Sequence, residues 1–411
     1  MRYHWFAHAT KSQIHKGVNH MVNVSSLFGQ IVSEIFTAVN FDNLVAITGA
    51  ERHSKGFHCK TQLVSMLFCH LAGADSLREI VNGLKCCNGK LVHLGVKNPP
   101  PRSTLAYANS HRPAELFEKL FWELSEHFRS TGSMECRKKK FRFKNKLMSL
   151  DSTTISLCLS LFPWAKFRTA KGGVKVHVLL DHDDYMPSFV SITDAQTHDS
   201  RISKELSLKP GSIEALDRAY VDFSQFRSWT DQGVFFVTRM KENTLYAVDE
   251  VKMPPRNWHI LSDEIVHLTG GGMRDKYPGP LRRITVENLE KGEDIVLLTN
   301  HLDFGASTIS AISKERWEIE LFFKTLKQNL KVKTFIGTSE NALRIQIWTA
   351  MISLLVIKWL HHLSKAGWSF SNMATMLRLN LFTYRVLRAW LDEPFQTPPI
   401  VPGPEQLKID F

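Results

Sequence analysis

The spacing of apolar residues divides the chain into a helical first part, a strand-rich middle and a helical end. Between residues 27 and 130, apolar side chains recur at helical spacing, and Gly73 and Gly83 are suited to ending helices. From 146 to 238, runs rich in β-branched and aromatic residues predict strands, with one helix at 200–208. These predicted strands lie at 146–158, 172–181, 186–195, 213–220 and 233–240.

Beyond the strands, short β-like runs give way to longer helices. Residues 239–300 hold short strand-like runs separated by turn sequences such as GGG at 270–272. Helices are predicted at 313–333, 339–363 and 371–391. The apolar run 347–357 is too short to span a bilayer and is followed by Lys358, so it predicts a core helix.

The predicted helix at 313–333 has two distinct faces. Its apolar stripe is typical of a buried face and consists of Ile319, Phe322, Phe323, Leu326 and Leu330. Arg316, Glu320 and Lys327 share another face, within about 40° of each other around the helix axis. Two interpretations remain open: surface ion pairs worth about 0.3 kcal/mol each, or an acidic metal ligand flanked by cations that hold phosphate.

Two aspartates lie on or at the ends of predicted strands. Asp151 is carried by the strand at 146–158, and Asp217 ends a short strand that begins near 212. An Asp at a strand end is common for turn reasons alone. Two such residues together with Glu320 also form the carboxylate set that a pair of Mg²⁺ ions uses in nucleases and polymerases.

Composition favours a polyanionic partner. The chain has 411 residues, enough for two to four domains, with a formal net charge of +12 and a pI of about 9.4. Excess Lys and Arg favours nucleic acid through counterion release, although a basic surface without such a role is the alternative.

Two regions are candidates for DNA contact. Residues 135–146 hold seven basic side chains, which suits either a phosphate-contacting linker or a solvated hinge. A helix that follows the PPP break at 99–101 carries Arg102, Asn109 and Arg112. Together with the helices before it, that segment fits a helix-turn-helix variant or a plain helical bundle with a polar face.

Cysteine usage and the N-terminal residues predict a cytoplasmic protein. The six cysteines show neither zinc-site spacing nor a disulfide framework; they stand at 59, 69, 86, 87, 136 and 158. Reduced thiols in a cytosol are the simplest account. The first residues lack the apolar core of a secretory signal, and no membrane attachment is expected.

At this point the motifs resemble those of a known family. Ser313-x2-Arg316-x3-Glu320-x6-Lys327 resembles the Tyr-x2-Arg-x3-Glu-x6-Lys signature of bacterial insertion-sequence transposases of the Asp-Asp-Glu class, specifically the insertion sequence 4 family. Further blocks resemble that family in the same order, at 150–157, 171–181, 197–201 and 216–223. The resemblance extends from about residue 30 to 370.

The resemblance implies an α/β fold: an RNase H-like catalytic core with an all-β insertion and an N-terminal helical domain. The expected division, taken from this resemblance and the patterns above, is a loose N-terminal tail at 1–25, a helical DNA-binding domain at 26–134, a basic linker at 135–146, a catalytic domain at 147–238 and 301–392, a β-rich insertion at 239–300 and a Pro-rich tail at 393–411.

The resemblance also implies an activity and its residues. Asp151, Asp217 and Glu320 would hold two Mg²⁺ ions, with Mn²⁺ as an alternative, for cutting transposon ends and joining the 3′-hydroxyl to target DNA. Double-stranded DNA, both ends and target, is the expected partner of a homodimer in the bacterial cytoplasm, associated with the nucleoid. The expected DNA-contacting residues are Arg316, Lys327, Lys324, Arg102, Asn109, Arg112, Arg137, Lys138, Lys139 and Lys140.

One position departs from the family signature. Ser313 stands where the signature has Tyr, so no aromatic hydroxyl is available at that place to approach a DNA phosphate. Two alternatives therefore stay open beside the transposase: a catalytically silent DNA-binding protein or repressor descended from one, and a stand-alone nuclease of the same fold.

Overall fold

The computed structural model describes residues 25–52, 54–87, 89–132, 140–157, 161–168, 171–255, 259–287, 292–329 and 336–400. Its helices are α1 (Leu27–Ala38), α2 (Phe41–Thr48), α3 (Cys59–Ala72), α4 (Leu77–Cys86), α5 (Arg102–His111), α6 (Glu115–Ser130), α7 (Asp199–Ile202), α8 (Phe223–Asp231), α9 (Gly271–Lys276), α10 (Ala306–Glu315), α11 (Trp317–Asn329), α12 (Glu340–Leu363), α13 (Phe370–Asn380) and α14 (Leu387–Asp392). Its strands are β1 (Leu147–Leu157), β2 (Lys166–Arg168), β3 (Lys171–Asp181), β4 (Met186–Asp194), β5 (Ile213–Leu216), β6 (Phe235–Arg239), β7 (Tyr246–Lys252), β8 (Ile260–Leu268), β9 (Leu281–Val286) and β10 (Ile295–Thr299).

All ten strands belong to one mixed sheet. Its order is β2-β3-β1-β5-β6-β10-β9-β8-β7, and β4 pairs with β3. The pairs β1–β5 and β5–β6 are parallel, and the other pairs are antiparallel. All four residues of β5 are buried, as expected for a central parallel strand that is covered on both faces.

Helices cover the two faces of the sheet with separate apolar cores. On one face α10 contributes Ile309 and Ile312 to a core with Ala215 of β5. On the other face α8 contributes Phe226 and Trp229. Because successive residues of a strand point to opposite faces, the register of β1 and β5 decides which of their side chains meet α10 and α11.

The N-terminal helices share their core with the C-terminal ones. α1, α3 and α6 bury apolar residues in the same cluster as α12 and α13. The Asn341 side-chain amide at the start of α12 donates to the carbonyls of Asn109 and Arg112 at the end of α5. Although the helical character predicted for 27–130 is present, these helices and α12 are packed as one body.

By length and composition α12 is apolar enough to cross a membrane, but 83% of its most apolar window is buried inside the protein. It is therefore the core helix that the run 347–357 predicts.

Several predicted elements differ from the structure. The helix predicted at 371–391 is two helices, α13 and α14, and of the helix predicted at 200–208 only the short α7 is α-helical. The segment predicted as an all-β insertion contains the short helix α9, and its strands extend the central sheet, with β10 pairing directly with β6. The single helix predicted for 313–333 is two helices, α10 and α11, which meet at Arg316. Apolar periodicity missed the break because Arg316 keeps right-handed helical angles, φ −51° and ψ −26°.

Candidate active site

The two predicted aspartates are brought together by the register of neighbouring parallel strands. β1 pairs with β5 so that Leu150 lies beside Leu216, and Asp151 and Asp217 are the next residues on each chain. Adjacent strands lie about 4.8 Å apart, and matched positions face the same side of a sheet. Asp217 also caps the short turn that follows β5, where its Oδ1 accepts a hydrogen bond from the Ala219 N–H at 3.0 Å.

Arg316 joins the third acid to the first. Its Nη1 donates to Asp151 Oδ2 at 2.8 Å, and its Nη2 donates to Glu320 Oε1 at 3.0 Å. Arg316 stands between α10 and α11, and its guanidinium lies between Asp151 of β1 and Glu320 of α11. One cation is thus shared by carboxylates that are 169 residues apart in the sequence, counted from 151 to 320.

The other two acids contribute to the electrostatics of Asp151. Burial raises the pKa of Asp151 to about 6, against the opposing effects of the Arg316 guanidinium and the Ser152 N–H. The negative charges of Asp217 and Glu320 add to the effect of burial, and their contributions are part of this raised pKa. Crowded carboxylates of this kind favour binding of a cation.

The side chains at this site are of the chemical type that binds hard divalent metal ions. Three carboxylates are the ligands that Mg²⁺ and Mn²⁺ prefer, and the Arg316 guanidinium already stands as a cation between two of them. Among the residues that the structure describes, no three acidic, His or Cys side chains are close enough in this conformation to hold an ion. Asp151, Asp217 and Glu320 are the residues at this site whose oxygens could hold such an ion.

The other residues of the signature lie along α10 and α11. Lys327 Nζ donates to the Thr154 carbonyl of β1 at 3.2 Å, two turns beyond Glu320. Lys324 is exposed, and Ser313 is partly exposed on the last turn of α10. The apolar stripe is buried as predicted at Ile319, Phe322, Phe323 and Leu326, while Leu330 lies outside the described residues.

Sequence reasoning missed a group of polar residues behind Asp151. Asp199 accepts hydrogen bonds from the Ser152 hydroxyl at 2.9 Å and from Lys175 Nζ at 3.2 Å. The backbone N–H of Ser152 donates to Asp151 Oδ1 at 2.7 Å, so Asp199 supports the residue that orients Asp151. The only available signal was that Lys175 and Asp199 fall within the family-like blocks.

His177 of β3 is buried and hydrogen-bonded on both ring nitrogens. Its Nδ1 lies 3.2 Å from the Tyr220 hydroxyl and its Nε2 lies 3.1 Å from the Thr193 hydroxyl. Burial lowers the pKa of His177 to about 4, so the ring is neutral at physiological pH. A neutral His177 can connect β3 to the turn that carries Asp217 without adding charge to the site.

Two of the residues predicted to contact DNA are interior residues. Asn109 is 1% exposed, and its amide oxygen accepts from the Gln62 side chain at 2.8 Å. Arg112 is 9% exposed and donates to Gln62, to Ser54 and to the Phe57 carbonyl. Both residues connect α5 to α3 and to the segment before it. The prediction that they contact DNA is wrong, because their polar atoms are hydrogen-bonded inside the protein.

The remaining residues predicted to contact DNA differ in exposure and in whether the structure describes them. Arg102 is exposed at the start of α5. Lys140 is exposed along much of its side chain, but its ammonium is paired with the buried carboxylate of Glu315. Arg137, Lys138 and Lys139 lie outside the described residues.

With this geometry established, comparison with known proteins decides the family. Residues 142–356, just over half of the chain, match the family described as "Transposase DDE domain". The chain therefore belongs to the DDE transposases. Residues 23–97, which contain α1 to α4, match a domain of unknown function, DUF4372. This transposase is thus a DNA-cleaving and DNA-transferring enzyme of a family that uses divalent metal ions.

Curated relatives of this transposase carry the same designation. A protein of Sinorhizobium fredii named as transposase y4zB is 32% identical over 308 residues, which cover 74% of this chain and 83% of the relative. One named for insertion sequence element IS5377, from Geobacillus stearothermophilus, is 29% identical over 56% of this chain and 60% of its own. A Synechocystis protein named for element IS4SA is 26% identical over 64% of this chain and 73% of its own.

A solved structure is also similar over most of the chain. The piggyBac transposase synaptic complex with hairpin DNA aligns with a TM-score of 0.42 and 10% identity, covering 94% of this chain and 88% of that one.

Proposed function

We propose that this DDE transposase belongs to the insertion sequence 4 family, cuts at the ends of its element and joins the freed 3′-hydroxyl to target DNA. The observation that carries the proposal is that Asp151 and Glu320 share the Arg316 guanidinium. Asp217 follows the strand that pairs with the strand of Asp151, so three separate elements bring the three acids to one place. A relative named for the element IS4SA supports this family assignment.

In this proposal Asp151, Asp217 and Glu320 hold two divalent metal ions, Mg²⁺ or Mn²⁺. Bound ions of this kind activate the attacking oxygen and stabilise the leaving oxygen of an in-line displacement. Arg316 would release the two carboxylates and bind a DNA phosphate, whose two non-bridging oxygens can accept a pair of hydrogen bonds from a guanidinium. Lys327 and the exposed Lys324 lie further along α11, where they extend the positive surface beside the acids.

Recognition of DNA rests on the charge of the whole chain. With a formal net charge of +12, binding to double-stranded ends and target should weaken steeply with salt. Arg102 on α5 and the basic residues Arg137, Lys138 and Lys139 are the proposed contacts outside the catalytic helix, whereas the ammonium of Lys140 is held by Glu315. A homodimer on DNA in the bacterial cytoplasm would pair two ends for joining.

The test is cleavage of DNA that carries the inverted repeats flanking the reading frame. Asp151→Asn, Asp217→Asn and Glu320→Gln should each reduce Mg²⁺-dependent cutting by at least about 10³-fold, because an amide keeps the shape but loses the charge that holds the ion. Binding of the same DNA should stay within about threefold, since it depends on the basic surfaces. Retained cutting by any one of these variants would contradict the assignment of the three acids.

Because Ser313 departs from the family signature, a catalytically silent DNA-binding protein is the alternative that the same experiment can test. Tyrosine at this position could donate its hydroxyl to a phosphate, and one such hydrogen bond corresponds to about a threefold to tenfold effect on rate. We therefore expect Ser313→Tyr to raise cutting modestly. If neither the natural chain nor Ser313→Tyr cuts, while both fold and bind the ends, the silent candidate is the better account.

A further inference from the structure

A buried carboxylate at the junction of α10 and α11 has no part in the proposed chemistry. Glu315 is the last residue of α10 and precedes Arg316 directly, yet its side chain is only 2% exposed. Burial acts to raise the pKa of Glu315, but the neighbouring His182, Lys140 and Tyr185 side chains outweigh burial and lower it to about 2. A charge kept inside a protein at neutral pH requires partners such as these.

The partners of Glu315 come from distant parts of the chain. The Tyr185 hydroxyl donates to Glu315 Oε1 at 2.9 Å, and the Lys140 ammonium pairs with Oε2. His182 Nδ1 lies 3.8 Å from Oε1. Tyr185 and His182 belong to the turn between β3 and β4, and Lys140 precedes β1. Glu315 is thus the point at which the helix junction is attached to the edge of the sheet.

The conformation of Tyr185 supports a specific role for this attachment. Tyr185 has φ 53°, which makes it the one non-glycine residue with a positive φ among those that the structure describes. A bulky residue rarely adopts this conformation unless its surroundings hold it there. The hydrogen bond to Glu315 gives its hydroxyl one fixed place.

We propose that Glu315 is a positioning residue: it fixes the α10–α11 junction to the β3–β4 turn, so that Arg316 and Glu320 face Asp151. Because Arg316 is the next residue in the chain, movement of the junction displaces both of its hydrogen bonds, to Asp151 Oδ2 and to Glu320 Oε1. The effect of this role on cutting rests on the proposed function, whereas its effect on the junction itself does not.

A nucleophilic role for the same cluster does not fit its burial. Ser149 Oγ lies 2.7 Å from His182 Nε2, and Glu315 lies on the other side of the ring, an arrangement similar to a Ser-His-Glu triad. Ser149 is completely buried in β1, so no substrate can reach its hydroxyl. Its bond to His182 instead adds a further connection between the sheet and the turn.

The first experiment removes one contact to Glu315 and compares it with an equivalent loss elsewhere. Tyr185→Phe deletes only the hydroxyl that donates to Glu315. Tyr277→Phe is the matched control, because it deletes a hydroxyl that lies 3.1 Å from Thr230 on the α8 side of the sheet. We expect Tyr185→Phe to slow cutting about tenfold and to raise the Mg²⁺ concentration for half-maximal cutting, with end binding unchanged, and Tyr277→Phe to remain within about twofold of the natural chain.

The second experiment does not depend on cutting. Hydrogen exchange of the DNA-free protein should speed up about tenfold or more in peptides covering 306–329 in Glu315→Gln, with a smaller rise in Tyr185→Phe. Peptides covering α8 should exchange at the natural rate in both variants. If the natural chain does not cut DNA, the proposed function fails while this measurement still tests the junction.

The inference is overturned by either of two results. One is unchanged exchange across the junction in both variants. The other is equal loss of cutting in Tyr185→Phe and Tyr277→Phe, since that would make the Tyr185 hydroxyl a contributor to general stability alone.

Discussion

At the scale of single residues, the acids could be predicted from the sequence but their partners could not. Asp151, Asp217 and Glu320 stand in motifs whose residue types already suit a hard metal ion. The contacts of Glu315 could not be predicted, because they join positions 140, 185 and 315, which no local pattern relates. Asn109 and Arg112 were wrongly predicted to contact DNA for a related reason. The sequence of a helix does not show whether a polar side chain has a buried hydrogen-bond partner, as these two have in Gln62.

Glu315 also gives a prediction about stability and pH. Its pKa is about 2 in the folded protein, against 4.5 for a glutamate without these interactions, so folding stabilises the charged carboxylate. Such a group stabilises the fold above its unfolded pKa, and the contribution is lost as the pH falls through the folded value. We expect the difference in free energy of unfolding between the natural chain and Glu315→Gln to be constant above about pH 5.5 and to shrink steadily toward pH 2. Urea unfolding at several pH values would measure it; a difference that does not change with pH would contradict the ionised state.

At the scale of elements, long periodic runs were predictable and their junctions were not. β1 occupies Leu147–Leu157, within one residue at each end of the predicted strand at 146–158. The break between α10 and α11 could not be predicted because apolar spacing continues through it. Likewise the runs at 239–300 were recognised as strands, but pairing of β10 with β6 depends on residues far apart in sequence.

The break at Arg316 leads to a prediction about metal binding. Because the guanidinium occupies the space between Asp151 and Glu320, it competes with any cation for them. Arg316→Ala should therefore bind Mn²⁺ about tenfold more tightly than the natural chain when no DNA is present, and should cut DNA more slowly. Calorimetric titration would measure the affinity. Arg344→Ala is the control, since it removes an Arg from an exposed pair with Glu340 on α12; equal affinities in all three proteins would contradict competition by Arg316.

At the scale of the whole molecule, the shared apolar core was the least predictable feature. Composition shifts indicated a helical region before residue 135 and a catalytic region after it, yet α1, α3 and α6 bury their apolar faces with α12 and α13. Sequence patterns report which face of a helix is apolar, not which other helix covers it.

That core makes the helical region necessary for folding of the rest. A fragment of residues 140–411 would expose the apolar face of α12 that α3 and α6 now cover. We expect this fragment to lack a cooperative thermal unfolding transition and to aggregate, whereas the full chain unfolds cooperatively. Circular dichroism melts of the two proteins at equal concentration would show it; a soluble fragment with a sharp transition would contradict a shared core.

The hydrogen bonds between α5 and α12 fix the distance between the proposed DNA contact on α5 and the acids of the sheet. Asn341 fixes the end of α5 to α12, whose apolar side chains share one core with β1 and β3. With DNA ends held on α5, as proposed through Arg102, the distance from the bound sequence to Asp151 is set by the protein interior. The place of the cut should then stay a constant number of base pairs from the recognised sequence, and base pairs inserted between the two would move the cut rather than stretch the protein.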